Sequence, residues 1–224
     1  MTTRRALVLL GSPKGSKGSS ANIGNYLAER LKEKGMDVDV LEAYRSSRDE
    51  EGQKKLLASF DRADLTLICF PLYVDTLPAG LLETLEMLYE RRGELTPKRR
   101  MLAAECQSGF PEATQIDIAL QNCRHFAERM GMEFAGGMAI GEGGMLGQFE
   151  LKEFKYAKNH LALFDRAAEC LANEETIPDE VIAGLQRPFV PKWMYVYFTN
   201  RNWNEMAKGN GVRGRIKEKP HLGR

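Results

Sequence analysis

Apolar residues alternate along this chain between two rhythms. Compact runs such as Ala6–Leu10 and Leu65–Phe70 read as buried strands, the second apolar except for Thr66. Between them lie longer stretches with helical spacing. Ser20–Lys34 carries Ile23, Leu27 and Leu31 at i, i+4 and i+8 and is closed by Gly35. Val38, Val40 and Leu41 suggest a second strand, and Leu56, Leu57 and Phe60 give Asp49–Ala63 a helical face. Leu65–Phe70 meets Pro71, where strand pairing is expected to stop. Pro78–Arg92 reads as a helix with proline in its first turn, and Met101–Ala104 as a short fourth strand. Glu112–Met130 is helical, Met132–Ile140 is a fifth strand weakened by Gly136 and Gly137, and Gln148–Leu171 is a long final helix.

Five strands alternating with helices predict a parallel sheet covered on both faces, a doubly wound three-layer sandwich. Ligands of such sheets bind beyond the carboxyl ends of the strands. The loops after strands one, three, four and five are therefore the informative ones. Residues 175–224 leave the alternation. Pro178, Pro188 and Pro191 interrupt them, an aromatic stretch follows (Trp193, Tyr195, Tyr197, Phe198, Trp203), and the basic end reads as a solvated tail. The predicted organisation is a domain over 1–174 and an aromatic and basic extension over 175–224, packing on the domain or on a partner subunit.

Composition removes several alternatives. The formal net charge of +1 over 224 residues carries no bias toward nucleic acid or a membrane surface. No stretch approaches the roughly 18 apolar residues of a spanning helix, and Gly-Ser-Pro cuts short the first apolar run, so a cytoplasmic protein without a membrane span is expected. Cys69, Cys106, Cys123 and Cys170 are scattered, as are the three histidines, which argues against a cluster or a metal site. Cys106 ends a strand, and its simplest reading is a small buried hydrophobe.

The first loop, GSPKGSKGSS, lies between a buried strand and a helix start, where free N–H groups attract phosphate. It lacks both the G-x-x-x-x-G-K-[ST] pattern and the G-x-G-x-x-G pattern. By itself it reads equally as a Ser/Gly anion loop or as a surface linker, and Gly15–Gly18 is expected to be mobile. FPLYVDTLPAG follows strand three, a rigid loop able to present backbone groups to a flat heterocycle with Tyr73 beside it. ECQSGFPEA follows strand four, where Gly109 admits a close backbone approach and Phe110 a flat wall. The glycine-rich rim 141–147 follows strand five.

GSPKG…SS opening a helix, F-P-L-Y-V-D-T-L-P after strand three, and GFPEA with AERMGMEFAGGMAIGEGGM together resemble the flavodoxin-like FMN proteins, above all NAD(P)H-dependent FMN reductases and quinone reductases. The resemblance covers roughly residues 4–172. It implies a flavodoxin-like α/β/α sandwich with a five-stranded parallel sheet in the order 2-1-3-4-5 and a C-terminal helical extension. It implies FMN as cofactor, with NAD(P)H and a small electron acceptor (a quinone, flavin or nitro compound) as partners, and a homodimer. Carried over, Ser12, Lys14, Ser19 and Ser20 hold the FMN phosphate. Pro71, Leu72, Tyr73, Val74 and Asp75 line the isoalloxazine through backbone groups, and Ser108, Gly109 and Phe110 border its other side. No catalytic side chain is singled out. The chain departs from the family at Ser19-Ser20, where many relatives carry Asn-Ser or Asn-Thr, and at ECQSGFP in place of a Thr-Gly-Gly type. The cysteine cluster of the iron–sulfur flavoproteins is missing. Two other readings share the fold: an electron carrier without its own substrate, against which the neutral charge weighs, and an FMN-binding regulatory protein.

Overall fold

The computed structural model describes residues 3–146 and 151–219. Five parallel strands form one sheet: β1 (Arg5–Leu10), β2 (Asp37–Glu42), β3 (Leu65–Pro71), β4 (Met101–Gln107) and β5 (Glu133–Ile140), in the order 2-1-3-4-5. The helices are α1 (Ser19–Glu33), the single-turn α2 (Ala43–Ser46), α3 (Glu50–Arg62), α4 (Ala79–Glu90), α5 (Asp117–Arg129), α6 (Lys158–Ala172), α7 (Asp179–Leu185) and α8 (Lys192–Gly209).

The apolar runs of β1 and β3 are buried from both sides because helices cover both faces of the sheet. Leu7, Leu9, Ile68, Phe70, Leu102, Ala104 and Cys106 pack with Leu56 and Phe60 of α3, Leu81, Leu85 and Leu88 of α4, and Ala119, Cys123 and Ala127 of α5. The alternate strand residues face α1 and α6. There Ile23, Leu27 and Leu31 of α1 are fully buried, each contributing about 1.5–3 kcal/mol by burial. A side chain at Gly24 would sit 2.6 Å from Leu10 and 3.3 Å from Cys69 Sγ, so α1 lies close on the sheet. The Tyr26 hydroxyl donates to Asp165 Oδ1 at 2.6 Å and ties α1 to α6. The edge strand β2 keeps its Asp37 and Asp39 exposed.

Two elements differ from the sequence expectation. β4 runs three residues beyond Ala104, through Glu105, Cys106 and Gln107, all buried. The polar residues of that segment conceal a strand that the sheet nevertheless pairs in register with both β3 and β5. The final helix starts at Lys158 rather than Gln148. Residues 148–150 lie outside the described residues, and 151–157 form turns and a 3₁₀ turn. Leu151, Phe154 and Ala157 are buried at a spacing of three, which imitates a helical stripe. Pro71 does not end strand pairing at Phe70, since it still stands opposite Gln107.

The chain divides into two compact units between Phe189 and Val190. In the first, α7 follows Pro178 and packs on α6, where a side chain at Gly184 would meet Leu163 at 2.8 Å. The Ile177 amide donates to the Ala135 carbonyl at 2.7 Å. His160 stacks on Phe189 with ring centroids 4.0 Å apart and contacts the Arg187 carbonyl at 2.9 Å, and burial lowers its pKa. The second unit holds α8, which begins directly after Pro191, and a 3₁₀ turn at Arg213–Arg215. No helix among the described residues is long and apolar enough to cross a membrane.

Candidate functional site

The loops after β1, β3, β4 and β5 meet at the carboxyl edge of the sheet. The β1–α1 loop turns tightly there. Gly15–Lys17 forms a 3₁₀ turn, with the Gly15 amide donating to the Ser12 carbonyl at 2.9 Å. The Ser16 amide donates to Glu42 Oε1 at 2.8 Å, and Arg45 pairs with the same carboxylate at 2.9 Å. Gly15 has φ +55°, and a side chain there would meet the Glu42 carboxylate at 2.7 Å. Glu42, at the end of β2, thus pins the loop; sequence reasoning did not select it.

The other end of this loop is built differently. Ser12 is buried, and its Oγ accepts from the Lys14 amide at 3.2 Å. Gly18 is the N-cap of α1, with no side-chain cap and no acidic residue in the first turn. By contrast, Asp49 caps α3 by accepting from Gly52, and two glutamates follow it. The Gly18 amide donates to Gly15 and the Ala21 amide to the Gly18 carbonyl, which leaves the Ser19 and Ser20 amides without an acceptor among the described residues and suited to an anion. Ser19 is half-buried and Ser20 fully buried in that turn, while Lys14 and Lys17 are exposed.

Gln107, which sequence reasoning did not select, bonds to both the first turn of α1 and the loop after β3. It is 4 % exposed, and its Nε2 donates to Ser20 Oγ at 2.9 Å. Its main-chain carbonyl accepts from the Leu72 amide at 2.8 Å. Ser108, next in chain, donates its amide to Ile140 and accepts from Gly143 at 2.7 Å. The Phe110 carbonyl accepts from Glu142, so the loops after β4 and β5 are joined by main-chain hydrogen bonds. Reading β4 as ending at Ala104 placed Gln107 in a loop. The available signal was strand alternation, which sets Gln107 on the face of Glu105 and Ala103, toward α1.

After β3, Tyr73 and Thr76 bond to each other through both amides, at 3.0 and 3.2 Å, closing a two-residue turn. Val74 and Asp75 at its centre have φ of +50° and +59°, the type I′ pattern that favours Asn-Gly. Val74 is 95 % exposed, and Tyr73 and Phe110 are also exposed on this edge. Asn122 of α5 donates to Thr76 Oγ1 at 3.2 Å and steadies the turn. Pro71 and Leu72 lie at the β3–β4 junction, Ser108 is buried, and Gly109 is open on its Cβ side. Ser12, Ser19 and Ser20 gather at one end of the edge, and residues 71–75 and 108–110 at neighbouring strand ends. Lys14 is exposed in the same loop as Ser12, and Gly147 lies outside the described residues.

Two buried groups complete the electrostatics. Glu105 lies opposite Cys69 of β3 and Met138 of β5, fully buried, and neither carboxyl oxygen has a hydrogen-bond partner among the described residues. Desolvation raises its pKa well above the ordinary carboxyl value. Cys106 faces the opposite way, into the core, and its thiol pKa is raised by burial and then by Glu105. All four cysteines are free and buried, and among the described residues no group of three or more His, Cys, Asp or Glu is placed to hold a metal.

Comparison with known proteins gives no match to any family model and no curated relative. Solved structures do match. The apo form of an NADH:FMN oxidoreductase (EMOB) aligns with a TM-score of 0.57 at 13% identity, covering 85% of this chain and 97% of that one. An FMN-dependent NADH-azoreductase from Bacillus anthracis str. Ames Ancestor, in complex with FMN, aligns at 0.53 and 15% identity, covering 76% and 100%. A flavodoxin, WrbA-like protein from Agrobacterium tumefaciens aligns at 0.50 and 13%, covering 78% and 99%. With the strand order, these likenesses establish a flavodoxin-like fold.

Proposed function

We propose that the carboxyl edge of the sheet binds FMN and that the protein is an NAD(P)H-dependent flavin oxidoreductase acting on a small acceptor. The observation that carries this reading is the uncapped start of α1, flanked by the buried hydroxyls of Ser12 and Ser20 and set beside the paired loops after β3 and β4. The donor set fits a phosphate monoester: hydroxyl groups, helix-terminal amides and the nearby Lys14, with the Glu42 carboxylate at the end of β2 turned to the Ser16 amide. That two of the similar structures are named for FMN and NADH supports the choice of ligand.

When bound, FMN supplies the acceptance of hydride from a reduced nicotinamide and its delivery to an acceptor such as a quinone, flavin or nitro compound. The chain's own residues bind and orient. Ser12, Ser19, Ser20 and Lys14 hold the phosphate. Main-chain groups of Pro71–Asp75 and of Ser108–Phe110 frame the ring system, and the exposed Tyr73 and Phe110 offer it apolar surface. Cys106, turned into the core as a thiol, takes no part. The same proposal makes the chain a homodimer, supported by the exposed Trp193, Tyr197 and Trp203 of α8.

The binding half is tested by combining Lys14→Ala with Ser20→Ala and titrating FMN into the variant. Loss of a charged and a hydroxyl donor is expected to weaken affinity about 10- to 100-fold, since a hydrogen bond to a charged group contributes about 1.5–3 kcal/mol. Unchanged affinity removes this loop as the phosphate site.

A further inference from the structure

We infer that Gln107 fixes the donor direction of the Ser20 hydroxyl and is thereby the positioning residue for the phosphate of a bound flavin nucleotide. The inference rests on the FMN reading of the same site. A serine hydroxyl has one proton to give and two lone pairs to receive. The Gln107 amide donates to Ser20 Oγ at 2.9 Å, so one lone pair is filled and the Ser20 proton is left for another acceptor. Ser20 stands in the first turn of α1, where the helix start has no capping oxygen of its own. A phosphate oxygen drawn to that turn is the acceptor the geometry calls for.

The opposite orientation of the amide would undo this. With Oε1 against Ser20, the hydroxyl would donate inward and meet a ligand with lone pairs only. The orientation seen gives Ser20 the donor and leaves the buried Gln107 Oε1 without a partner among the described residues. Gly143 makes room for it. A side chain at Gly143 would lie 2.8 Å from Gln107 Oε1, 3.0 Å from its Cβ and 3.1 Å from the Ser108 carbonyl. Ser20 thus takes one end of the amide by a hydrogen bond, and the missing side chain of Gly143 leaves room for the other. Because the Gln107 carbonyl also accepts from Leu72, the residue that orients the phosphate loop is anchored to the loop after β3.

The test uses the full chain and two ligands, FMN and riboflavin, which differ by the phosphate. Flavin fluorescence titration is performed on wild type, Gln107→Met, Ser20→Ala, the double variant and Gly143→Ala. Gln107→Met keeps the length of the side chain and removes the donor. It is expected to weaken FMN about tenfold, the loss of one well-directed hydrogen bond to a charged group, while riboflavin affinity stays constant. In the Ser20→Ala background the same change is expected to add less than twofold, and Gly143→Ala to reproduce the FMN-selective loss. Equal losses for FMN and riboflavin, or a full tenfold effect retained without the Ser20 hydroxyl, would overturn the inference. If Gln107→Met loses its fold by circular dichroism, Gln107→Glu replaces it, with the same FMN-selective loss expected. A wild type that binds FMN no better than riboflavin sinks the phosphate-site reading itself. A wild type that prefers FMN, with variants that keep the preference, sinks only the role of Gln107.

Discussion

Replacing Val74 and Asp75 by Asn and Gly should stabilise the protein. The turn they form holds both residues at positive φ, +50° and +59°, closed by the Tyr73–Thr76 hydrogen-bond pair. A β-branched residue in that region costs about 1–2 kcal/mol, whereas Asn tolerates it through its short polar side chain. Val74 is 95 % exposed, so its removal surrenders almost no buried apolar surface. Gly in place of Asp75 relieves a smaller strain, of which about 0.5–1 kcal/mol returns to the unfolded chain as entropy. The net gain expected for V74N/D75G is about 1–2 kcal/mol, or about 2–4 °C in Tm for each kcal/mol in a chain of this length. Urea unfolding followed by circular dichroism should show a higher midpoint with an unchanged slope, since the area exposed on unfolding is the same. An unaltered or lower midpoint would refute the strain argument.

Glu105→Gln should flatten the dependence of stability on pH. Burial keeps the folded-state carboxyl protonated where the unfolded chain has already released its proton, so the folded state binds more protons and stability falls as pH rises above the ordinary carboxyl value, by about 1.4 kcal/mol per pH unit until the raised pKa is reached. Parallel urea midpoints for wild type and variant between about pH 5 and pH 7 would contradict the assignment. All four cysteines should resist an aromatic disulfide reagent in the folded protein and react together on unfolding, because each is buried and the Cys123 thiol is pushed up to about 12 by desolvation; rapid labelling of Cys106 in the native state would place it outside the core.

Much of this fold was legible because its signals are local. Ala6–Leu10 and Leu65–Phe70 are apolar on both faces, as a doubly covered parallel sheet requires, and the stripe Ile23, Leu27, Leu31 fixes α1 on it. That the loops after β1 and β3 share the carboxyl edge followed from the doubly wound order, whereas Ser12 and Ser20 were singled out through the family resemblance. What escaped depends on contacts between distant segments. Gln107 meets Ser20, 87 residues earlier, and Glu42 meets the Ser16 amide, 26 residues earlier. Glu105 conceals a strand because a lone carboxyl in a buried strand contradicts the apolar pattern by which strands are recognised. The final helix was read as too long, since the buried Leu151, Phe154 and Ala157 ahead of Lys158 lie in turns and a 3₁₀ turn.

The most direct measurement is anaerobic addition of NADH, and separately NADPH, to the full chain loaded with FMN, followed through the visible absorbance of the flavin. The account predicts that the chain takes up FMN and that at least one nicotinamide bleaches it, with colour returning when a quinone is added. A chain that takes up FMN but stays yellow with both nucleotides would be an electron carrier, and one that takes up no FMN would contradict the flavin site altogether.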